Sequence, residues 1–261
     1  MSRHLRGALA LIRINFKEVV QYRSSLVLLA LGNGFGLWLL FWLWGALFAS
    51  NPGRAGLSFQ SALLHVAVAQ TLFVVVQSYT DWGFARQIRS GAVATYLTQP
   101  LALPVRYFAL ACGRVAVHAL AHIPVFLLFA WWAGLAPADT HWLLALPSLL
   151  LAFVLIFCVD FTIGLAGFMA ADLWGITASK DALLLFLGGA YLPIAFFPEA
   201  VRTVMHWLPF AHFYQTPVAY LTGESSAGLP LLQQALWCVA FLGLVLLASR
   251  HVQRKLVVFG A

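Results

Sequence analysis

The sequence carries little charge and few of the residues that build soluble domains. Of its 261 residues only 9% are charged and 62% are hydrophobic, against roughly 25% and roughly 45–50% in an ordinary soluble domain. Since a helix crossing a bilayer needs ~20 apolar residues, a chain of this length holds about six crossings and no sizeable soluble domain. We therefore expect one all-α integral membrane domain over residues 1–261.

Cysteine and catalytic motifs are scarce as well. The three cysteines, Cys112, Cys158 and Cys238, each lie inside an apolar run, so neither a disulfide framework nor a Cys-x-x-Cys metal site is predicted. The chain has no Gly-x-Ser-x-Gly elbow and no His-Glu-x-x-His helix, which are signatures of hydrolases. We expect no catalytic residue and no bound metal or cofactor in this chain.

Lysine is equally scarce, and this bears on ATP. The phosphate-binding loop of ATPases reads Gly-x-x-x-x-Gly-Lys-Ser/Thr, with a lysine that reaches the terminal phosphates. Lys17, Lys180 and Lys255 follow Phe, Ser and Arg, so none follows glycine. If ATP drives this protein, another polypeptide must bind it.

Long apolar runs are what the sequence has in abundance. Turn residues or charges separate them, and an even number of crossings puts both termini on one side. We expect an amino-terminal interfacial helix over 1–24, a tail over 250–261, and six transmembrane helices between them. The runs cover 25–49, 59–79, 107–133, 142–168, 182–197 and 229–249.

The basic residues are distributed unequally between the two sides. Twelve of the fifteen Lys and Arg fall at the termini or in the loops after the second and fourth runs, with Lys180 among them. Arg54 and Arg202 fall on the other side, and Arg114 lies within the third run. Because basic residues collect on the cytoplasmic side, both termini are predicted to be cytoplasmic. The membrane also accounts for the formal charge of +7 without a nucleic-acid partner.

The residues before the first run form an amphipathic pattern. Leu5, Leu9, Ile12, Phe16 and Val19 recur at helical spacing on one stripe, which is typical of a helix lying in the membrane interface. It is either a simple anchor or a connecting helix that contacts a cytoplasmic partner.

The loop after the second run, 80–104, interleaves aromatic and basic residues. The pattern predicts a short amphipathic helix ended by Gly91, with its aromatic and arginine side chains facing the cytosol. It is either a positively charged loop or a docking surface, since Trp and Arg are enriched at interface centres. The residues of this segment are Trp82, Phe84, Arg86, Ile88, Arg89 and Gly91.

The fifth run is interrupted before it could cross a bilayer. Glycines and a proline break it, and broken backbone at membrane depth must be sheltered by protein or face water. We expect a re-entrant turn, then an amphipathic helix carrying Val201, Val204, Met205 and Leu208. This outer hairpin is either a loop on the interface or a gate over an exit. Its marker residues are Gly188, Gly189, Pro193, Phe197, Pro198, Glu199 and Pro209.

Four of the polar residues within the predicted spans bear on function. Arg114 and Asp160 reach similar depths from the inner ends of their helices, so we hypothesise that they pair. His118 and His122 are one helical turn apart, a spacing that binds a metal only when further ligands converge. A polar role facing a helix or a cavity is the expected one.

These features together resemble the permease subunits of ABC-2 type exporters, in particular the small six-helix permeases grouped with drug and viologen exporters. The resemblance covers nearly the whole chain. It rests on the stretch 188–193 with Phe197-Pro198 and 208–210, on the segment 86–91 leading to 96–100, and on the amino-terminal helix ending at Tyr22-Arg23.

The resemblance implies a function and partners. In the family the 188–210 region forms re-entrant helices at the outer mouth, 86–91 is a cytoplasmic coupling segment, and the amino-terminal helix is a connecting helix. It further implies separate ABC ATPase subunits that use ATP and Mg, a second permease of the same or a related chain, and the bacterial cytoplasmic (inner) membrane. An ion-driven secondary transporter remains an alternative. So does an intramembrane lipid-modifying enzyme using His118, His122 and Asp160.

Overall fold

The computed structural model describes residues 3–50, 56–136, 139–168 and 173–258, and all regular structure within them is helical. Arg54, counted above on the outer side, lies outside this part of the chain. Short 3-10 turns cover Ala166–Phe168, Ile194–Phe196 and Pro209–His212. The α-helices are α1 (Arg3–Gln21), α2 (Arg23–Ala49), α3 (Phe59–Val76), α4 (Thr80–Arg89), α5 (Val93–Leu97), α6 (Leu103–Trp132), α7 (Trp142–Leu165), α8 (Trp174–Leu187), α9 (Glu199–Trp207), α10 (Gln215–Thr222) and α11 (Leu229–Val258).

Five helical stretches of the described chain are long and apolar enough to cross a membrane. The protein is therefore an all-helical membrane protein. The stretches are Arg23–Ala49, Phe59–Arg89, Leu103–Trp132, Trp142–Phe168 and Leu229–His251.

The predicted fifth run, 182–197, has different bounds in the structure. Its helix, α8, begins at Trp174 and ends at Leu187. Its 14 residues rise about 21 Å at ~1.5 Å per residue, less than the ~30 Å of a hydrocarbon core. The helix ends there because Gly189 has φ +81°, a left-handed conformation that glycine adopts without strain.

The helices form a bundle with α3 and α7 at its centre. The half-length helix α10 packs between α3 and α7, while α11 lies along α7 and α2 lies along α3 and α6. Tyr214 and Tyr220, at the start and within α10, are fully buried. Leu28 and Leu43 of α2 are exposed, as expected of side chains that face lipid.

The predicted amino-terminal helix is present as α1, which packs along α6. At Gly113 of α6, a Cβ atom would lie 2.6 Å from the carbonyl oxygen of Ile12, so glycine lets the two backbones touch. The second half of the predicted stripe lies at this contact, since Ile12 and Phe16 adjoin Gly113. Leu5 and Leu9 at the start of the stripe are exposed, whereas Asn15 beside it is only 6% exposed.

Candidate functional site

The predicted helix in the loop after the second run is confirmed as α4. The chain enters it through Tyr79, whose φ of +48° is the only positive value among the described non-glycine residues. Arg86 and Arg89 lie in the last turn of α4, where their charge complements the helix dipole. Gly91, with φ +73°, stands just beyond the helix end, as predicted.

One face of α4 is pressed into the bundle. Phe84 is fully buried and its ring lies 4.4 Å from the Tyr107 ring centre and 5.1 Å from that of Phe161. A Cβ atom at Gly164 would lie 3.1 Å from Phe84 Cδ1, and one at Gly167 would lie 3.1 Å from the Cα of Ala85. The two glycines therefore form a groove that admits α4 against the end of α7.

This packing corrects the expectation that the aromatic residues of α4 face the cytosol. Phe84 faces inward, and Ile88 packs against the same buried cluster. Trp82 is half-buried, whereas Arg86 and Arg89 are exposed. The surface of α4 that remains accessible is thus mainly basic.

A buried ionic cluster joins α4 to two other helices. The Lys180 Nζ atom of α8 donates to Asp81 Oδ2 of α4 at 2.9 Å and to Asp160 Oδ1 of α7 at 2.6 Å. Asp181 Oδ1 lies 2.9 Å from the same nitrogen. The Ser78 hydroxyl donates to Asp160 Oδ2 at 2.6 Å. We refer to these five residues as the Lys180 cluster.

The Lys180 cluster overturns two sequence expectations. Lys180 was expected in a loop after the fourth run, but it lies within α8 and is buried. Asp160 was expected to pair with Arg114, but its carboxylate binds Lys180 and Ser78. The guanidinium carbon of Arg114 instead lies 5.8 Å from the centre of the Tyr79 ring. Buried charges need close partners. Equal depth on two helices does not establish that the side chains of Arg114 and Asp160 face each other.

The glycine break, Gly188–Gly189, directly follows the last residue of α8, Leu187. The backbone N–H of Gln215 donates to the Gly188 carbonyl at 2.9 Å. A Cβ atom at Gly188 would lie 2.9 Å from Tyr214 Cδ2, and one at Gly189 would lie 2.6 Å from Gln215 Oε1. Both positions therefore need glycine, because α10 packs directly against the chain as it leaves α8.

A histidine that sequence reasoning left unassigned holds the glycine break to α3. His65 is fully buried; its Nδ1 lies 2.8 Å from Glu224 Oε1 and its Nε2 lies 3.1 Å from the Gly189 carbonyl oxygen. A carboxylate and a carbonyl oxygen can only accept hydrogen bonds. Donation to both oxygen atoms at once requires a proton on each nitrogen of the ring.

Glu224 lies in the connection between α10 and α11. Burial alone would raise the pKa of this carboxyl group, but the hydrogen bond and charge of His65, together with a hydrogen bond from Gln215, lower the pKa below its ordinary value. The Gln215 Nε2 atom donates to Glu224 Oε2 at 3.4 Å. The only sequence signal for this pair is a lone histidine inside an apolar run.

The predicted outer hairpin contains the expected helix after Pro198. This helix, α9, begins at Glu199 and ends at Trp207, just before Pro209. Of its predicted apolar stripe only Met205 is buried, and the remaining members are exposed.

The other hairpin residues frame the breaks in the chain. Pro193 precedes the 3-10 turn Ile194–Phe196, and the Phe197 ring packs edge-on against Phe186 at 5.4 Å. A hydrogen bond from the backbone N–H of Arg202 to the Pro198 carbonyl at 3.0 Å closes the first turn of α9.

His118 and His122 are stacked in parallel on α6. Their ring centres are 5.5 Å apart. Nδ1 of His118 and both ring nitrogens of His122 have no hydrogen-bond partner. Within the described ranges no third His, Cys, Asp or Glu joins them in a group that could hold a metal.

Comparison with known proteins gives two similarities. The family model described as "ABC-2 family transporter protein" matches residues 36–260. The chain is also 24% identical to the protein named "Putative transport permease YvfS" of Bacillus subtilis (strain 168), over 73% of this chain and 77% of the relative.

Proposed function

Because the chain belongs to the ABC-2 transporter family, we propose that it is the permease subunit of an ABC-2 type exporter. It forms the translocation path with a second permease, of the same or a related chain. Separate ABC ATPase subunits, which bind ATP and Mg, drive it from the cytoplasm. The transport permease name of its relative supports the same role.

The proposed topology has six crossings in the bacterial inner membrane. Five are the stretches long enough to span, and α8 with the region up to α10 forms the sixth as a re-entrant hairpin. The unequal distribution of basic residues supports cytoplasmic termini. This arrangement puts α1 and α4 at the cytoplasmic surface and the glycine break near the outer surface.

The proposed ATPase docking surface is the accessible face of α4, with Arg86 and Arg89 at its centre. The observation that carries the proposal is the asymmetry of this helix. One face is fixed by Phe84 in the glycine groove of α7 and by Asp81 on Lys180, while the arginines face outward. A helix fixed in this way transfers a displacement to the bundle instead of moving independently of it.

Alternating access then follows a continuous route of contacts. Closure of the ATPases displaces α4, and the Lys180 cluster passes the displacement to α8. Since α8 ends at the glycine break, its movement reaches the contacts with α10 and His65 and opens the outer hairpin. Two discrete arrangements of packed elements are the usual basis of such switching.

The test is co-purification of the permease with its ABC ATPase, followed by measurement of ATP turnover. Replacement of both Arg86 and Arg89 by Gln is expected to lower ATPase recovery at least about tenfold, as loss of central interface anchors does. Arg250→Gln, which removes an exposed positive charge elsewhere, is the matched control.

Two outcomes would contradict the proposal. If the double variant binds the ATPase and supports turnover like the control, then α4 is not the docking surface. If the purified chain alone moves solute in vesicles and stops when an ion gradient is removed, it is a secondary transporter.

A further inference from the structure

Two cavities of about 220 Å³ each adjoin Arg114 at the end of the bundle that carries α1 and α4. Asn15, Glu18 and Arg114 line both of them. One cavity extends beneath α4 toward Tyr79 and Arg86. The other extends between α1 and α2, where its additional lining includes Tyr22, Ser25, Leu26 and Leu29. We call the two cavities together the Arg114 cleft.

The cation of this cleft makes no direct ion pair. Among the described residues no carboxylate oxygen lies within 4.0 Å of the Arg114 guanidinium, although Glu18 lines the same cleft. Asp160, the partner that the sequence suggested, is bound to Lys180. An arginine inside a transmembrane helix is costly unless it is paired or hydrated, so the cleft suits an anionic group supplied from outside the chain.

An acceptor in the same cleft also lacks a partner. Asn15 is 6% exposed and its Oδ1 atom makes no hydrogen bond. A buried amide oxygen without a donor costs free energy. Glu18, exposed on the next turn of α1, adds a carboxylate on the same side. The two together suit a group that has both positive charge and N–H donors, which describes a primary ammonium.

The cavity between α1 and α2 also has apolar lining residues. Leu26 and Leu29 belong to α2, and Leu29 is 51% exposed on a helix that faces lipid. A free inorganic anion gains nothing from such a wall, whereas an acyl chain does.

We propose that the Arg114 cleft binds the headgroup of a phospholipid with a primary amine, of the phosphoethanolamine type. Arg114 binds the phosphate. Asn15 and Glu18 accept from the ammonium, and an acyl chain lies along Leu26 and Leu29. This site is separate from the transport function proposed above, and its test needs neither ATP nor the ATPase.

The experiment is photolabelling of the full chain in phosphatidylcholine nanodiscs. These contain a small fraction of phosphatidylethanolamine with a photoreactive group on its acyl chain, and the labelled peptides are mapped by mass spectrometry. We expect labelling on α1, α2 and α6 near the cleft. Arg114→Gln should lower it about tenfold, the usual effect of losing a hydrogen bond to a charged group, and Arg114→Lys should lower it less.

Matched controls separate this site from general lipid contact. Arg13→Gln removes an exposed charge from α1 outside the cleft and should leave labelling unchanged. Asn15→Ala should reduce the preference for phosphatidylethanolamine over phosphatidylcholine without abolishing labelling, which keeps the test valid if Arg114→Gln fails to fold.

Competition distinguishes the ligand chemistries. Unlabelled phosphatidylethanolamine should displace the probe, while phosphatidylcholine and inorganic phosphate should not. Equal labelling of Arg114→Gln and Arg13→Gln would overturn the proposal. So would displacement by inorganic phosphate, which indicates a free-anion site, or equal displacement by phosphatidylglycerol, which indicates that the amine is not recognised.

Discussion

Two regions of α8 are held by opposite kinds of contact. At the middle of the helix, Lys180 is surrounded by three carboxylates from three helices. Beyond its last residue, the buried glycine break is held by packing against α10, by one backbone hydrogen bond from Gln215 and by one ring nitrogen of His65. The first set of contacts is ionic, and the second depends on the absence of side chains. In the topology proposed above, the first region is the inner end and the second is the outer end.

The difference indicates where movement is accommodated. Separating the single cation of a buried ion cluster from its carboxylates leaves those carboxylates without a partner, so such a cluster moves as a unit or not at all. A segment held by packing and a few hydrogen bonds carries no such charge penalty when it changes conformation. We therefore expect α4, α7 and α8 to stay associated at the Lys180 cluster while the glycine break changes conformation.

Replacing Lys180 by Met should have the largest effect on stability. It leaves Asp81 and Asp160 buried without their cation, and breaking a buried ion pair from one side costs about 3–5 kcal/mol. Thermal unfolding of the purified chain measures the change. Lys17→Met, which removes an exposed lysine, should have little effect. If both variants unfold at the same temperature, the cluster does not stabilise the inner end.

Gly189→Ala should come next in size. The substitution places a Cβ atom on a residue with φ +81°, 2.6 Å from Gln215 Oε1, and strain of this kind costs about 1–3 kcal/mol. Gly243→Ala is the control, because a Cβ atom there meets nothing within 4 Å. If Gly189→Ala unfolds at the same temperature as the control, then the glycine break does not require glycine at position 189.

The features that the sequence predicts correctly are local ones. The helices α1, α4 and α9 follow from apolar spacing and from Gly and Pro at their ends. The end of α8 is also predicted correctly, because Gly189 interrupts the helix independently of where it begins. The predicted start of the fifth run at residue 182 is wrong, because the polar residues between Trp174 and Asp181 are typical of a loop, and only the folded bundle buries Lys180.

The pairings of the candidate site could not be predicted because they depend on how each helix is rotated. The sequence gives the depth of each residue along its helix axis, and this depth suggested that Arg114 pairs with Asp160. The rotation of α6 instead turns Arg114 toward Tyr79. His65 and Glu224 are 159 positions apart, and no local pattern brings two isolated residues together over that separation.

Replacing Asp81 by Asn should separate coupling from stability at the inner end. Lys180 keeps two carboxylates, so the free energy of unfolding should change by only about 1 kcal/mol. The ionic link from α4 to α8 is lost, however. In a complex with the ATPase we expect normal co-purification but no ATP-dependent change in the labelling rate of Tyr191→Cys by a membrane-impermeant thiol reagent. Tyr191 is 55% exposed beyond the glycine break.

Asp139→Asn is the control for this experiment, since it removes an exposed carboxylate elsewhere. An ATP-dependent change that persists in Asp81→Asn would show that the displacement reaches α8 by packing alone. Phe84 in the groove of α7 would then be the transmitting contact.

The smallest effect, and the one most specific to the outer end, is the pH dependence of the bond between His65 and Glu224. Because the pKa of Glu224 is lowered in the folded protein, its contribution to stability is full above the ordinary value of 4.5 and is lost as the pH falls through the lowered pKa.

The stability difference between the native chain and Glu224→Gln should therefore be about 1 kcal/mol above pH 4.5 and should decrease as the pH falls through the lowered pKa of Glu224. Thermal unfolding across a pH series measures it, with Glu199→Gln, an exposed carboxylate in the first turn of α9, as the control. A difference that stays constant with pH would mean that the charge of Glu224 does not stabilise the contact with His65. The outer end would then be held by packing, and its contrast with the charged inner end would be greater still.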